Sequence, residues 1–143
     1  MFILICIKYG SLPNEIPSHY NFKGEIDSYS GKSILFSIPI ISIILSLLIN
    51  SLCFIPERYW NVSVSNPRIE ITPQFRRSII HICVTFFIVN SSIVSALFAY
   101  ITTCMVYSIS ISITIIVIFI IVLFVTIILF IVVLYTKINS LSE

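Results

Sequence analysis

His19, Glu25 and Asp27 have the widest chemical range of any residues in this chain, and all three fall in one short segment, residues 12–32. An imidazole and two carboxylates are donor types that zinc or calcium accepts. Their spacing follows no established ligand motif, however, and a hydrogen-bond network inside a loop accounts for the same residue types. No metal and no cofactor are therefore assigned. Hydrolysis would require a nucleophile beside a base. Serines are plentiful, but none sits in a setting such as G-x-S-x-G. The chain is accordingly expected to be no enzyme, with no catalytic residue.

The segment around these three residues has its own pattern. Leu12, Pro13, Ile16 and Pro17 come first, then the polar cluster His19, Asn21 and Asp27, then Lys32, with Gly24 and Gly31 interspersed. The prolines favour extended backbone and lack an amide donor, and the glycines admit turns that other residues resist. The pattern predicts a compact, ordered loop over residues 10–32, packed over helix ends, with His19, Asn21 and Asp27 satisfying main-chain groups.

Elsewhere the side chains offer little chemistry. Residues 78–136 contain no Asp, Glu, Lys or Arg, and a second charge-free block fills residues 33–55. A carboxylate or lysine inside a membrane span would be a default functional site; none is present, so proton- or ion-coupled transport has little support. His81, one turn past Arg77, reads as an interfacial residue. Cys6, Cys53, Cys83 and Cys104 lack metal-ligand spacing and read as small buried hydrophobes. Asn61-Val62-Ser63 and Asn90-Ser91-Ser92 match the glycosylation pattern, but the first falls in a loop assigned to the cytoplasm and the second inside a span. Both are read as chance.

The elements that must carry the 12–32 segment follow from hydropathy. The 143 residues are 58% hydrophobic and 10% charged, far from the soluble average of about a quarter charged. A formal charge of +2, without a basic stripe, excludes nucleic acid as a partner. Membrane lipid is the expected surrounding. A span needs about 20 apolar residues, and three fit, at residues 33–55, 78–103 and 111–135. The third is rich in Ile and Val, but a barrel strand would be about ten residues of alternating polarity. A lipid-exposed backbone must bond to itself, so helix is expected. The fold class is therefore all-α, a polytopic helical membrane protein.

Tyr107, Ser108, Ser110 and Ser112 offer the polar turn of a tight helical hairpin between the last two spans. Residues 1–7 are apolar but too short to cross, and they read as the tail of a fourth span, which points to a truncated gene or a misplaced start codon. Ser42, Ser46 and Asn50 share one helix face, as do Ser91, Ser95, Ala99 and Thr102. Small and hydroxyl residues at this spacing are expected to pack helices closely. The third span has only Thr126 between Ile115 and Leu134, so most of its circumference is expected to face lipid.

Basic residues set the orientation. Arg58, Arg68, Arg76, Arg77 and Lys137 outnumber Lys8, Lys23 and Lys32. This places the middle loop and C-terminus in the cytoplasm and residues 10–32 outside, in a multi-pass protein of the cell membrane. Tyr59, Trp60, Tyr100, Tyr107 and Tyr135 fall near span ends, as interfacial aromatics do.

The 12–32 segment closely resembles the signature of the bacterial and archaeal membrane family called domain of unknown function 1648. That pattern runs Leu-Pro-x-x-Ile-Pro-x-His-Phe-Asn-x-x-Gly-x-x-Asp with a later Lys. Leu12, Pro13, Ile16, Pro17, His19, Asn21, Gly24, Asp27 and Lys32 match it, and Tyr20 replaces the Phe. The stretches Asn66-Pro67-Arg68, Thr72-Pro73 and Phe75-Arg76-Arg77 also resemble the cytoplasmic loop of relatives. The resemblance implies a signature domain over residues 1–50, which hydropathy and charge follow with a cytoplasmic loop over 56–78 and a helical hairpin over 79–143. The same domain opens the SdpI-type immunity proteins, which protect a toxin-producing cell from its own peptide and help signal its presence to a repressor. The resemblance thus implies immunity or signalling against a peptide toxin through the outer loop, although the longer multi-span region of those proteins has no counterpart here. A different expectation is a non-enzymatic accessory subunit of a transporter or other membrane complex, whose partner is another membrane protein.

Overall fold

The computed structural model describes residues 1–60 and 71–140. Three helices are long and apolar enough to cross a bilayer: Lys32–Phe54, Pro73–Tyr107 and Ile113–Asn139. The chain is thus a multi-pass membrane protein of all-α class. The regular α-helices are α1 (Phe2–Lys8), α2 (Ser37–Ser51, continued by 3-10 turns to the bounds of the first span), α3 (Pro73–Tyr107) and α4 (Ile113–Asn139). Between α1 and α2 lie two strands, β1 (Glu15–Tyr20) and β2 (Ile26–Gly31).

Local chemistry explains the boundaries. Pro39 is tolerated because it lies in the first turn of α2, and Pro56 holds Ile55 in extended backbone, ending that span. Thr72 caps α3: its hydroxyl accepts the Phe75 amide at 3.2 Å, and Pro73 fills the first helical position. The cap lets the helix start before the expected residue 78 and run through Arg76 and Arg77. Charge limits the lipid-exposed length, not the helix. At the far end Ser108 takes a left-handed backbone with φ 51°, and the Ile109 amide returns to the Cys104 carbonyl at 3.0 Å. The chain reverses there, within the expected serine cluster, and α4 begins.

The two serine faces meet. Ser46 and Ser95 hydroxyls lie 2.9 Å apart, and Asn50 Nδ2 donates to Ser91 Oγ at 2.9 Å. The same antiparallel stepping sets Ser42, itself buried, level with Ala99. Each such interhelical bond contributes about 0.6 kcal/mol in a bilayer, so close backbone approach matters as much as the bonds. The α3–α4 contact is sparser: Thr126 Oγ1 donates to Asn90 Oδ1 at 3.0 Å, and Phe86 stacks on Phe130 with centroids 4.2 Å apart. Asn90 is thus an interhelical acceptor, a role its chance glycosylation pattern did not suggest. No described residue of α4 is buried, in line with its lipid-facing composition. The cysteines are all free. Cys104 is buried, Cys53 and Cys83 are half-buried and Cys6 is exposed, so the buried-hydrophobe expectation holds fully only for Cys104.

The tightest core is not between the long helices but at one end of them. Ile5 of α1, Ile16 of β1, Leu35 ahead of α2, and Met105 and Val106 at the end of α3 bury one another there, ringed by Leu12, Tyr20, Phe36 and Ile101. The Asn61 glycosylation pattern, Asn66-Pro67-Arg68 and the Arg68 charge used for orientation lie outside the described residues.

Candidate functional site

The segment expected to be a compact loop is a β-hairpin seated on that core. β1 and β2 pair antiparallel, Glu15 opposite Gly31 and Ile16 opposite Ser30, and the Lys32 amide donates to the Asn14 carbonyl at 3.0 Å to close the base. The register slips between Pro17 and His19 and again between His19 and Tyr20. Bulges of this kind re-aim side chains. Pro17, which cannot donate to a ladder, is buried together with Ile16. β2 is mostly exposed, with only Ile26 and Ser30 partly covered. One strand therefore holds the hairpin down and the other meets solvent.

The tip is organised by Asn21. Its amide donates to the Glu25 carbonyl at 2.9 Å, and its carbonyl accepts from Gly24 at 2.8 Å. Its side-chain oxygen accepts the amides of Lys23 and Glu25 at 2.8 and 3.0 Å, while Nδ2 donates to Glu25 Oε2 at 2.9 Å. Gly24, with φ +76°, completes the turn. A methyl group there would also overlap the Ile111 carbonyl, because the tip rests against the α3–α4 connection, where the Ile111 amide donates to the Gly24 carbonyl at 2.8 Å. Gly24 is thus required twice, for its backbone angle and for this contact.

His19 and Asp27 face each other on the exposed side. Nδ1 lies 2.6 Å from Oδ1, and the side chains are 69% and 39% exposed. The pair satisfies itself, so of the three residues expected to serve main-chain groups only Asn21 does so. Glu25, the third candidate metal donor, is turned to Asn21 instead, and among the described residues no three His, Cys, Asp or Glu side chains converge. The arrangement leaves an exposed imidazole, its Nδ1 bound to a carboxylate, on a strand pair whose second strand meets solvent.

The remaining signature residues are structural. Leu12 and Ile16 feed the core. Pro13 is exposed at the approach to β1, and Lys32 sets its ammonium 4.9 Å from the Tyr9 ring centroid. In the sequence Tyr20 stands out only as the replacement of the signature's Phe, with no role assigned. Its ring joins the core, while its hydroxyl is buried without a hydrogen-bond partner. Burial above all, and then Cys104, Tyr100 and Tyr29 nearby, push its pKa up to about 12. The signal was available in the resemblance itself: a Tyr at the signature's Phe position implies a hydroxyl in an apolar slot. His81 is exposed on α3 and lines a cleft of about 360 Å³ between α3 and α4, whose walls include Phe86, Asn90, Thr126 and Phe130. That cleft lies away from the hairpin.

No curated protein and no solved structure matches the chain. One family does: the match covers residues 1–43, which take in α1, the whole hairpin and the beginning of α2. This N-terminal part of the membrane protein, with the Asn21-Gly24 tip and the His19–Asp27 pair at its centre, is what matches the family described as Domain of unknown function (DUF1648).

Proposed function

We propose that the hairpin is an extracytoplasmic recognition element for a peptide or another envelope component, in the manner of SdpI-like immunity or signalling, and that the helices anchor it and relay its state. The protein has no reaction of its own in this reading. The observation that carries the proposal is the exposed His19–Asp27 pair on a hairpin fixed at base, face and tip. Such preorganisation suits binding, because little ordering entropy is left to lose on contact. The basic residues Arg58, Arg76, Arg77 and Lys137 favour the cytoplasm for the opposite ends. In cells challenged with the peptide toxin, His19→Ala and Asp27→Asn should each lower protection while leaving membrane expression intact. Undiminished protection in both variants would remove the hairpin from the mechanism.

A second function, non-enzymatic accessory subunit of a transporter or other membrane complex, is favoured by α4, which buries none of its described residues. It requires a partner membrane protein. Expressed alone, the chain would then be unstable or mislocalised, whereas a recognition protein would reach the membrane unaided.

A further inference from the structure

We propose that a cleft at the opposite end of the molecule binds the phosphate headgroup of an anionic phospholipid. The cleft, of about 380 Å³, lies between the 3-10 turn Glu57–Tyr59 and the start of α3, and is lined by Glu57, Arg58, Ile71, Pro73, Arg76 and Arg77. Among the described residues, three guanidinium groups and one carboxylate thus share it. The carboxylate is taken: Arg77 Nε lies 3.2 Å from Glu57 Oε2. Arg76 is held by main-chain oxygens, its Nη2 donating to the Glu57 carbonyl at 2.9 Å and to the Trp60 carbonyl. Those bonds fix the fork without cancelling its charge, and Arg76 Nε is buried with no partner. Arg58 has its guanidinium carbon 4.8 Å from the Tyr59 ring centroid, again without a carboxylate among the described residues. Two of the three arginines are therefore uncompensated among the described residues.

The ligand class follows from chemistry and from depth. Guanidinium groups recognise phosphate oxygens through paired N–H donors. The uncharged stretch of α3 begins at Ser78, directly after Arg77, so the cleft sits where hydrocarbon gives way to headgroups. Tyr59 and Trp60 stand at the same level, and the Trp60 indole donates to the Ile55 carbonyl at 3.0 Å, tying the turn to the end of the first span. A free phosphate ion would need no such depth, whereas a lipid headgroup lies at this level, so the lipid is the better fit.

The test uses full-length protein in detergent, titrated with phosphatidylglycerol or phosphatidylcholine of identical acyl chains, with bound lipids counted by native mass spectrometry. The expected result is a preference for phosphatidylglycerol of about fivefold for each uncompensated arginine, weakened by added salt. Arg58→Gln, at an exposed position, should reduce it by about fivefold. Arg76→Lys should reduce it too, because a lysine lacks the fork. Equal retention of the two lipids by the native protein would overturn the proposal. So would a preference unchanged in both variants, and so would displacement of the lipid by equimolar inorganic phosphate, which would make the cleft a site for the free ion.

Discussion

Tyr20 places a hydroxyl at the edge of the apolar core beneath the hairpin, and among the described residues nothing gives that hydroxyl a partner. An unsatisfied buried hydroxyl costs about 1 kcal/mol or more, so Tyr20→Phe should raise thermal stability by about 1 kcal/mol. Its ionisation adds a pH dependence. The folded pKa, about 12, lies above the ordinary value of 10.0, so between these values the unfolded chain loses the proton first. Stability from this group is complete below pH 10 and declines as pH rises toward 12. Phenolate absorbance should therefore show a late-titrating component that the Phe variant lacks, and the variant should lose less stability across that window. Gly24 gives the opposite case. Gly24→Ala meets both an unfavourable positive φ and the Ile111 carbonyl, and should cost about 3 kcal/mol. The check is faster proteolysis of the hairpin in the variant than in the native protein.

Among the elements, the α2–α3 pair was the most legible in sequence. Ser42, Ser46 and Asn50 on one face, and Ser91 and Ser95 on the other, carry the periodicity of a helix, and a bilayer leaves such groups little choice but one another. With the Ser46 and Ser95 hydroxyls 2.9 Å apart, the double variant Ser46→Cys, Ser95→Cys should form an intramolecular disulfide under mild oxidation. Ser46→Cys with Ser92→Cys, whose second site faces away, should not. Non-reducing electrophoresis after cleavage in the 61–70 segment separates the two results. The strands were hidden for a physical reason. Residues 15–20 and 26–31 contain few apolar residues and no sustained alternation, because one face of the hairpin rests on helix ends and the other is open. Prolines and glycines announced order there, but strand pairing depended on Leu35, Met105 and Val106, which lie far away in sequence. The Asn90–Thr126 bond was equally hidden, since each residue looked isolated within its own span.

For the molecule as a whole, hydropathy alone specified a helical membrane protein, while the sidedness of its ends rests on a modest excess of basic residues. α3, at 35 residues, is about 52 Å long, well beyond the roughly 30 Å of hydrocarbon, so its first turns stand clear of the bilayer or the helix tilts. On a background with the native cysteines replaced, a membrane-impermeant thiol reagent applied to intact cells should label Ser28→Cys and leave Ser140→Cys untouched until the cells are opened. The reverse pattern would invert the protein, and release from membranes by alkaline carbonate would end the bilayer account altogether. The contact between Gly24 and Ile111 has a broader consequence. The stretch that matches a family ends at residue 43, yet its tip leans on residue 111 and its core is completed by Met105 and Val106. The matched stretch is, energetically, only half an object. Transplanted onto foreign helices, it would need a new landing surface for its glycine, and without one it would hang as a loose ribbon.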